Sequence, residues 1–156
     1  MNLNIPFHIL LSLDENNLDG TIPTEVAALK SLSELHVYNN TIGGTLPTEL
    51  GSLTKLTLLD LEVNGLEGQL FFPELQSTAG TLKYLYGSNN KFEGSIPSWI
   101  GNLKALQELF AADNTLTGSI PTEISQLTDL GTLYFFLDVK YSSLFIIIQS
   151  CMSSDT

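Results

Sequence analysis

A short phrase recurs along the chain at intervals of about 24 residues. It consists of an asparagine, an apolar residue two places later, a glycine two places after that, and then an apolar residue followed by proline. Close copies start at Asn16, Asn40, Asn90 and Asn114, and a looser copy without the proline starts at Asn64. Self-similarity at a fixed period of this length is typical of a solenoid, in which each repeat stacks on the next. A solenoid offers a long surface for function rather than an enclosed pocket.

One complete repeat, residues 106–127, indicates how each coil closes. Apolar residues alternate around Leu109 and Ala111 with the period of a β-strand, so these side chains are expected to point inward. Gly118 permits a bend that a residue with a Cβ resists, and Pro121 fixes its own φ at the start of the returning arc. Residues 123–127 predict a short helical or 3₁₀ turn, after which the next strand stacks in parallel beside the last.

The asparagines of the phrase are predicted to be structural. A turn buried between coils leaves backbone groups without partners, and each costs about 1–3 kcal/mol if it stays unsatisfied. An asparagine amide offers both hydrogen-bond donors and an acceptor. We therefore expect a ladder of side chains that bond the backbone of their own and neighbouring coils: Asn16, Asn40, Asn64, Asn90 and Asn114.

These residues resemble the leucine-rich repeat, and the segment from Phe92 to Gly101 resembles its plant-type subclass most clearly. The resemblance implies an α/β solenoid. This is a right-handed superhelix with a parallel β-sheet on the concave face and short helical, 3₁₀ or irregular turns on the convex face. The chain is divided into an N-terminal edge (1–7), a solenoid (8–137) and a degenerate apolar tail (138–156). Repeats are assigned starts at residues 8, 32, 56, 82 and 106, with a partial sixth at 130.

The resemblance also implies a class of function. The family includes receptor ectodomains, receptor-like proteins and secreted inhibitor proteins, and most members bind proteins or peptides. An extracellular or cell-surface location is implied in the same way. Two common signs of secretion are missing, because no Lys or Arg precedes the apolar run 5–13 and the single Cys151 cannot form the paired cysteine caps of extracellular members. The sequence therefore leaves the compartment open.

Two repeats depart from the pattern. The third is 26 residues long and reads Leu70-Phe71-Phe72-Pro73 at the apolar–proline step, so we expect a bulge on the convex arc there. In the fourth, Gly87 occupies an inward strand position that is usually leucine. A neighbour such as Leu61 or Ala111 is expected to fill the space beside it.

The formal net charge of -11 narrows the possible partners. A surface with 6 Lys and Arg against 17 Asp and Glu repels phosphate backbones, so we do not expect a nucleic-acid partner. The same charge attracts a basic or amphipathic partner. The sequence has neither a phosphate-cradling glycine loop nor the ligand spacing of an oxygen cage, so we expect no cofactor and no metal.

Outward-facing strand residues define the predicted binding face. Because parallel strands lie about 4.7–4.9 Å apart, equivalent positions of successive repeats form lateral lanes. The first half of this face is acidic and the second half is aromatic, which favours a protein or peptide ligand with basic and apolar parts. The predicted ligand-binding residues are Tyr38, Asp60, Glu62, Tyr84, Tyr86, Glu108, Phe110, Tyr134 and Phe136. Four of them are assigned as anchors, namely Tyr84, Tyr86, Phe110 and Tyr134, and the carboxylates of Asp60 and Glu62 are assigned a steering role.

Two alternatives to a non-catalytic binding module stay open. One is a structural or assembly segment of a larger leucine-rich-repeat receptor or receptor-like kinase, which would self-associate through uncapped ends such as Phe135 and the apolar residues 144–148. The other is a hydrolase, because Ser12, His36 and Asp60 share one lane in the order of a catalytic triad. An open, wet surface without an oxyanion hole disfavours catalysis, so we predict no enzyme activity.

Overall fold

The computed structural model describes residues 8–135. Ten short strands follow one another along this part of the chain: β1 (Ile9–Ser12), β2 (Leu32–His36), β3 (Gly43–Thr45), β4 (Leu58–Asp60), β5 (Gly65–Gln69), β6 (Tyr84–Tyr86), β7 (Lys91–Gly94), β8 (Glu108–Phe110), β9 (Thr115–Leu116) and β10 (Thr132–Tyr134). Five 3₁₀ turns alternate with the strands: Thr24–Ala28, Thr48–Ser52, Pro73–Thr78, Ser98–Asn102 and Thr122–Gln126.

Six of the strands form the parallel sheet that the repeat predicted. Their order is β1-β2-β4-β6-β8-β10, so each coil adds one strand beside the strand of the coil before. Every pairing in this sheet is parallel. We call it the concave sheet. Together with the 3₁₀ turns on the returning arc, it confirms the predicted leucine-rich-repeat solenoid.

A second parallel sheet was not predicted from the sequence. Strands β3, β5, β7 and β9 pair in that order and follow the asparagine of each repeat. Glycines such as Gly43 and Gly65 weaken the strand signal in these segments. The pairing comes from stacking of the coils, as when the Gly65 amide donates to the Ile42 carbonyl at 2.8 Å.

The core runs through the middle of the stack and is built from one set of apolar residues per coil. In the third coil, Leu56, Leu59 and Leu61 are all fully buried. Complete burial of a leucine side chain stabilises the fold by about 1.5–3 kcal/mol relative to exposure. The first coil is packed less completely, since its inward Leu13 and Leu18 are 37% and 39% exposed. The described core is therefore continuous from the second coil onward.

The two irregular repeats are accommodated within this core. The extra length of the third repeat lies on its returning arc, where the 3₁₀ turn Pro73–Thr78 has six residues instead of five. Its Phe71 and Phe72 side chains are buried. Beside Gly87, the three atoms nearest to an added Cβ all belong to Leu70, at 2.9, 2.9 and 3.5 Å. The expectation that Leu61 or Ala111 fills this space was wrong, because the leucine of the preceding arc reaches across the coil.

The asparagine side chains tie each coil to the one before it. The Asn64 Nδ2 atom donates to the carbonyls of Val37, Leu61 and Glu62 at 2.9, 3.2 and 3.1 Å, and its Oδ1 accepts from the Ile42 amide at 3.1 Å. The same arrangement recurs at three other asparagines: Asn40, Asn90 and Asn114. Asn16 donates only within its own coil.

The backbone turns sharply just before each of these asparagines. The residue there has a positive φ of 51–56° in all five copies: Glu15, Asn39, Val63, Asn89 and Asp113. Asparagine and aspartate tolerate this left-handed conformation, whereas a β-branched side chain is strained in it. Val63 is therefore the residue of this set that fits its backbone least well.

Several features of the sequence analysis fall outside the described residues. They are Phe136, the tail 138–156 and the apolar residues 144–148 through which self-association was predicted. Phe135, which was predicted to be part of the same exposed apolar end, is described and is only 2% exposed. Within residues 8–135, no helix has the length and apolar character needed to span a membrane.

Replacing the strained Val63 tests this backbone feature. We expect Val63→Asn to raise the free energy of unfolding by about 1 kcal/mol, because asparagine relieves the left-handed strain at a side chain that is 39% exposed. Urea denaturation measures the change. Asn89→Val at the equivalent position should destabilise the protein by a similar amount. A lower midpoint for Val63→Asn would mean that the packing of the valine outweighs its strain.

Removing one rung of the asparagine ladder tests its contribution to stability. Asn64→Ala is expected to lower the free energy of unfolding by about 3 kcal/mol, because four partly buried backbone groups lose their hydrogen bonds. The matched control is Asn16→Ala, whose exposed amide bonds only its own coil. Equal losses in the two variants would contradict a role of the ladder between coils.

Candidate binding face

Strand register brings the outward-facing residues into lateral lanes. The central lane contains, in order, Ser12, His36, Asp60, Tyr86, Phe110 and Tyr134. The lane on the N-terminal side of the strands contains, in order, Leu10, Glu34, Leu58, Tyr84, Glu108 and Thr132. Both lanes have the order that the repeat predicted, so residues a full repeat apart in sequence are neighbours on the concave sheet.

The aromatic half of the face is a connected array of rings. Tyr84 and Tyr86 have centroids 6.3 Å apart, and the centroids of Tyr86 and Phe110 are 4.9 Å apart with a tilt of 40°. Phe110 meets Tyr134 edge to face at 5.9 Å. Offset and edge-to-face pairs at such distances are favourable beyond the area that they bury. The array therefore forms a continuous half-buried surface across three repeats.

The tyrosine hydroxyls at one end of the array are held by neighbouring side chains. The Tyr86 hydroxyl donates to Glu108 Oε2 at 2.6 Å, and the Tyr84 hydroxyl donates to Gln107 Oε1 at 3.0 Å. Burial raises the pKa of Tyr86 above its ordinary value, and the hydrogen bond to the Glu108 carboxylate raises it further. Both tyrosine side chains are therefore fixed in orientation. Glu108, predicted as a ligand contact, supports Tyr86 in this structure.

A histidine surrounded by three carboxylates occupies the acidic half. His36 Nε2 lies 3.3 Å from Glu34 Oε2, and Nδ1 lies 3.9 Å from both Asp14 Oδ2 and Asp60 Oδ2. Burial raises the pKa of Asp60 from 3.8 to about 6. Burial is the main cause of this net shift; the Glu62 and Asp14 carboxylates act in the same direction, while the Glu62 backbone amide and His36 oppose it. The charge of this half therefore changes between neutral and mildly acidic pH.

The structure does not assemble the hydrolase arrangement of Ser12, His36 and Asp60. The Ser12 hydroxyl donates to Asp14 Oδ2 at 3.0 Å, and the 3.9 Å from His36 Nδ1 to Asp60 Oδ2 is too long for a hydrogen bond. A triad requires the serine–histidine and histidine–carboxylate hydrogen bonds together. Across residues 8–135, no group of three or more His, Cys, Asp or Glu side chains is arranged to hold a metal ion.

Most of the predicted ligand-binding residues lie on one side of the solenoid. Tyr38, Asp60 and Glu62 are half-buried on the acidic part, and the aromatic array lies beside them. Sequence reasoning missed the hydrogen bond from the Tyr84 hydroxyl to Gln107. It also missed Asp113, which precedes a ladder asparagine and lies beside Phe110 and Tyr134 at the edge of the face. The fixed offset of that position from the asparagine was a signal that could have placed Asp113 beside the face.

Comparison with known proteins agrees with this architecture. The Leucine Rich Repeat family model matches residues 31–53, 81–103 and 105–127. The ectodomain of the receptor kinase SOBIR1 from Arabidopsis thaliana is 30% identical, with a TM-score of 0.75, over 84% of this chain and 69% of that chain. The chain belongs to the plant-type leucine-rich-repeat family.

Other solved structures are similar to this chain in fold. The plant peptide hormone receptor RGFR1 in complex with RGF2 is 33% identical, with a TM-score of 0.75, over 80% of this chain. A plant ice-binding protein is 35% identical, with the same TM-score, over 81% of this chain. This chain spans 20% of the length of the first and 40% of the second. No curated protein sequence matches the chain.

The raised pKa of Asp60 predicts a pH-dependent stability for this leucine-rich-repeat protein. A folded pKa above the unfolded value makes the ionised carboxyl destabilising above about pH 6, and this cost disappears as the pH falls toward 4. Asp60→Asn should therefore stabilise the protein by about 1 kcal/mol at pH 7.5 and have little effect at pH 4. The expected gain is smaller than for a fully buried carboxyl, because solvent screens part of the charge. Thermal or urea unfolding at both pH values measures the difference.

The control for this experiment is Asp19→Asn, which removes the same charge from an exposed loop residue. It should change stability little and by a similar amount at both pH values. If Asp60→Asn is equally neutral at pH 7.5, the burial of this carboxyl carries no energetic cost.

Proposed function

We propose that this chain is a non-catalytic leucine-rich-repeat module that binds a peptide or protein on its concave sheet. The observation that carries the proposal is the connected array of Tyr84, Tyr86, Phe110 and Tyr134 on an open face. Aromatic side chains are the residues most often found at the energetic centre of protein interfaces. The rings of this array come from three successive repeats, and Tyr84 and Tyr86 lie on the same strand.

The array suits binding because much of its ordering occurs on folding. Contacts between rings and the hydroxyl bonds of Tyr84 and Tyr86 restrict side-chain motion before any ligand arrives. Association costs about 0.5–1.5 kcal/mol for each flexible side chain that it immobilises, and a preordered surface avoids much of this. A ligand that lays an apolar segment on the rings therefore retains more of its burial energy.

The acidic half indicates the other property of the ligand. The concave sheet carries the carboxylates of Asp14, Glu34, Asp60 and Glu62, and none of the lysines among residues 8–135 lies in the lanes of this sheet. Such a surface attracts a basic segment of a ligand, and it raises the association rate constant more than the affinity. We propose a ligand with an apolar segment over the rings and a basic segment toward Asp60 and Glu62.

Related proteins support the same class of function. RGFR1 is described as a peptide hormone receptor and was solved in complex with RGF2, and the SOBIR1 structure is the ectodomain of a receptor kinase. By this likeness we propose a receptor-like recognition role at the cell surface or outside the cell. The alternative is an assembly segment of a larger receptor, and it rests on the small share of RGFR1 that the chain spans.

Substitutions in the array test the proposal. The probe is a set of synthetic peptides selected from a random display library on the native chain. Phe110→Ala and Tyr86→Ala should each weaken peptide binding at least tenfold, about 1.4 kcal/mol, because each removes a ring at the centre of the array. Isothermal titration measures affinity, and circular dichroism checks that the fold is unchanged.

Leu29→Ala is the matched control, because this exposed apolar residue follows a 3₁₀ turn on the convex side. It should leave peptide affinity unchanged. Peptides that bind Phe110→Ala and Tyr86→Ala as tightly as the native chain would show that the site is elsewhere. A library that yields no binder at all would count against peptide recognition and favour the assembly alternative.

A further inference from the structure

A depression of about 390 Å³ lies at the C-terminal ends of the concave strands, beside the aromatic array. It is lined by residues of four successive repeats, namely Glu62, Ser88, Asn89, Phe110, Asp113, Thr132 and Tyr134. Ser88 and Ala112 hold one lane position in consecutive repeats, and the short side chains of both leave room that Tyr38 and Glu62 fill in earlier repeats. The depression therefore follows from two small residues in a lane of larger ones.

The wall of this depression contains an unpartnered hydroxyl. Ser88 is 3% exposed, and its Oγ has no hydrogen-bond partner in the described structure. An unsatisfied buried polar group costs about 1–3 kcal/mol, and native proteins contain few of them. Ser88 occupies an outward position of the strand face and lines the depression. Its Oγ atom is covered, so an entering polar group bonds it once the Ser88 side chain rotates toward the depression. The missing partner is an observation independent of the acidic residues nearby.

The charges around the depression are all of one sign. Glu62 and Asp113 line it, and within residues 8–135 neither carboxylate is paired with a Lys, Arg or His side chain. The uncharged Asn89 and Thr132 complete the polar part of the lining. Two unneutralised carboxylates favour a cationic occupant and exclude an anionic one.

The rings of the depression favour a planar cation. Phe110 and Tyr134 line one side and meet edge to face, so a flat group can lie against a ring face. Guanidinium stacks on aromatic rings and also donates several hydrogen bonds in its plane, toward carboxylates or a hydroxyl oxygen. An ammonium is compact and strongly hydrated, and it cannot use the rings and the polar wall in this combined way.

We propose that this depression is a subsite for one arginine side chain of the ligand, a proposal that rests on the concave sheet being the peptide-binding face. The guanidinium lies against Phe110, donates to the carboxylates of Glu62 and Asp113, and gives the Ser88 hydroxyl its missing partner. The subsite fixes where the basic part of a ligand lies, at the end of the aromatic array. Specificity then comes from one pocket rather than from the diffuse charge of the face.

The test uses a small probe, so that it does not depend on finding the natural ligand. Nα-acetyl-arginine-N-methylamide is titrated into the ¹⁵N-labelled full chain and compared with its citrulline and lysine analogues. The amides of Ser88, Asn89 and Asp113 are expected to shift with the arginine probe. Citrulline, which has the shape but no charge, and lysine, which has the charge but no plane, should each bind at least tenfold more weakly.

A double variant tests the acidic residues of the subsite. Glu62→Gln with Asp113→Asn should weaken the arginine probe at least tenfold. Asn is the residue at two equivalent positive-φ positions, so Asp113→Asn preserves the backbone. Glu67→Gln with Glu93→Gln removes the same charge from exposed positions of the second sheet and should leave binding unchanged.

Ser88→Ala separates binding from folding. The variant removes an unsatisfied buried hydroxyl, so its urea midpoint should stay the same or rise, while its affinity for the arginine probe falls severalfold. A role of Ser88 in folding alone predicts a loss of stability with no change in probe binding, and this result overturns the assignment.

Several outcomes would overturn the subsite. They are equal affinity for arginine and lysine probes, binding unaffected by the Glu62 and Asp113 changes, and amide shifts confined to other parts of the chain. These outcomes are separate from a failure of the proposed function. Selected peptides that need Phe110 and Tyr86 but show no arginine preference refute the subsite alone. An arginine probe that binds here while no peptide does supports the subsite and refutes the peptide module.

Discussion

The hydrogen bonds of the asparagine ladder are the constraint on which the rest of the structure depends. Each coil turns directly after its concave strand, where a left-handed residue reverses the backbone and leaves carbonyls of two adjacent coils facing the interior. One amide satisfies three of these carbonyls and also accepts from the next segment of the preceding coil, as Asn64 does with Val37, Leu61, Glu62 and Ile42. Because each side chain spans two coils, it fixes their relative register as well as the turn itself.

Register in turn creates the candidate binding face. Once the coils are fixed side by side, residues a full repeat apart in sequence become lateral neighbours, and the variable positions form one surface with two parts. At one end, carboxylates surround His36 and share a partly buried site. At the other, four aromatic rings contact one another across three coils. One lane position that carries Tyr38 and Glu62 in earlier coils carries Ser88 and Ala112 in the next two, and this opens the depression that we assign to an arginine.

The sequence was sufficient for features that follow from periodicity. The alternation around Leu109 placed the inward residues, and the spacing of the phrase placed Asp60 beside Tyr86 and Tyr86 beside Phe110. The sequence was insufficient where a contact joins side chains from the arc of one coil and the strand of another, or from two adjacent strands. Leu70 reaches Gly87 from the returning arc, and the Tyr84 and Tyr86 hydroxyls bond Gln107 and Glu108 of the next coil. A lane also fixes order but not distance, so the order of Ser12, His36 and Asp60 did not imply the hydrogen bonds of a triad.

The sequence by itself determined the solenoid, its parallel concave sheet and the identity of the residues that face outward. These depend on local backbone preferences and on a repeat that brings every coil to the same geometry. Only the tertiary structure decided the second sheet, the fixed orientation of the tyrosines, the raised pKa of Asp60 and the unpartnered hydroxyl of Ser88. Those properties depend on burial and on distances between side chains of different coils, and such distances exist only once the coils have stacked.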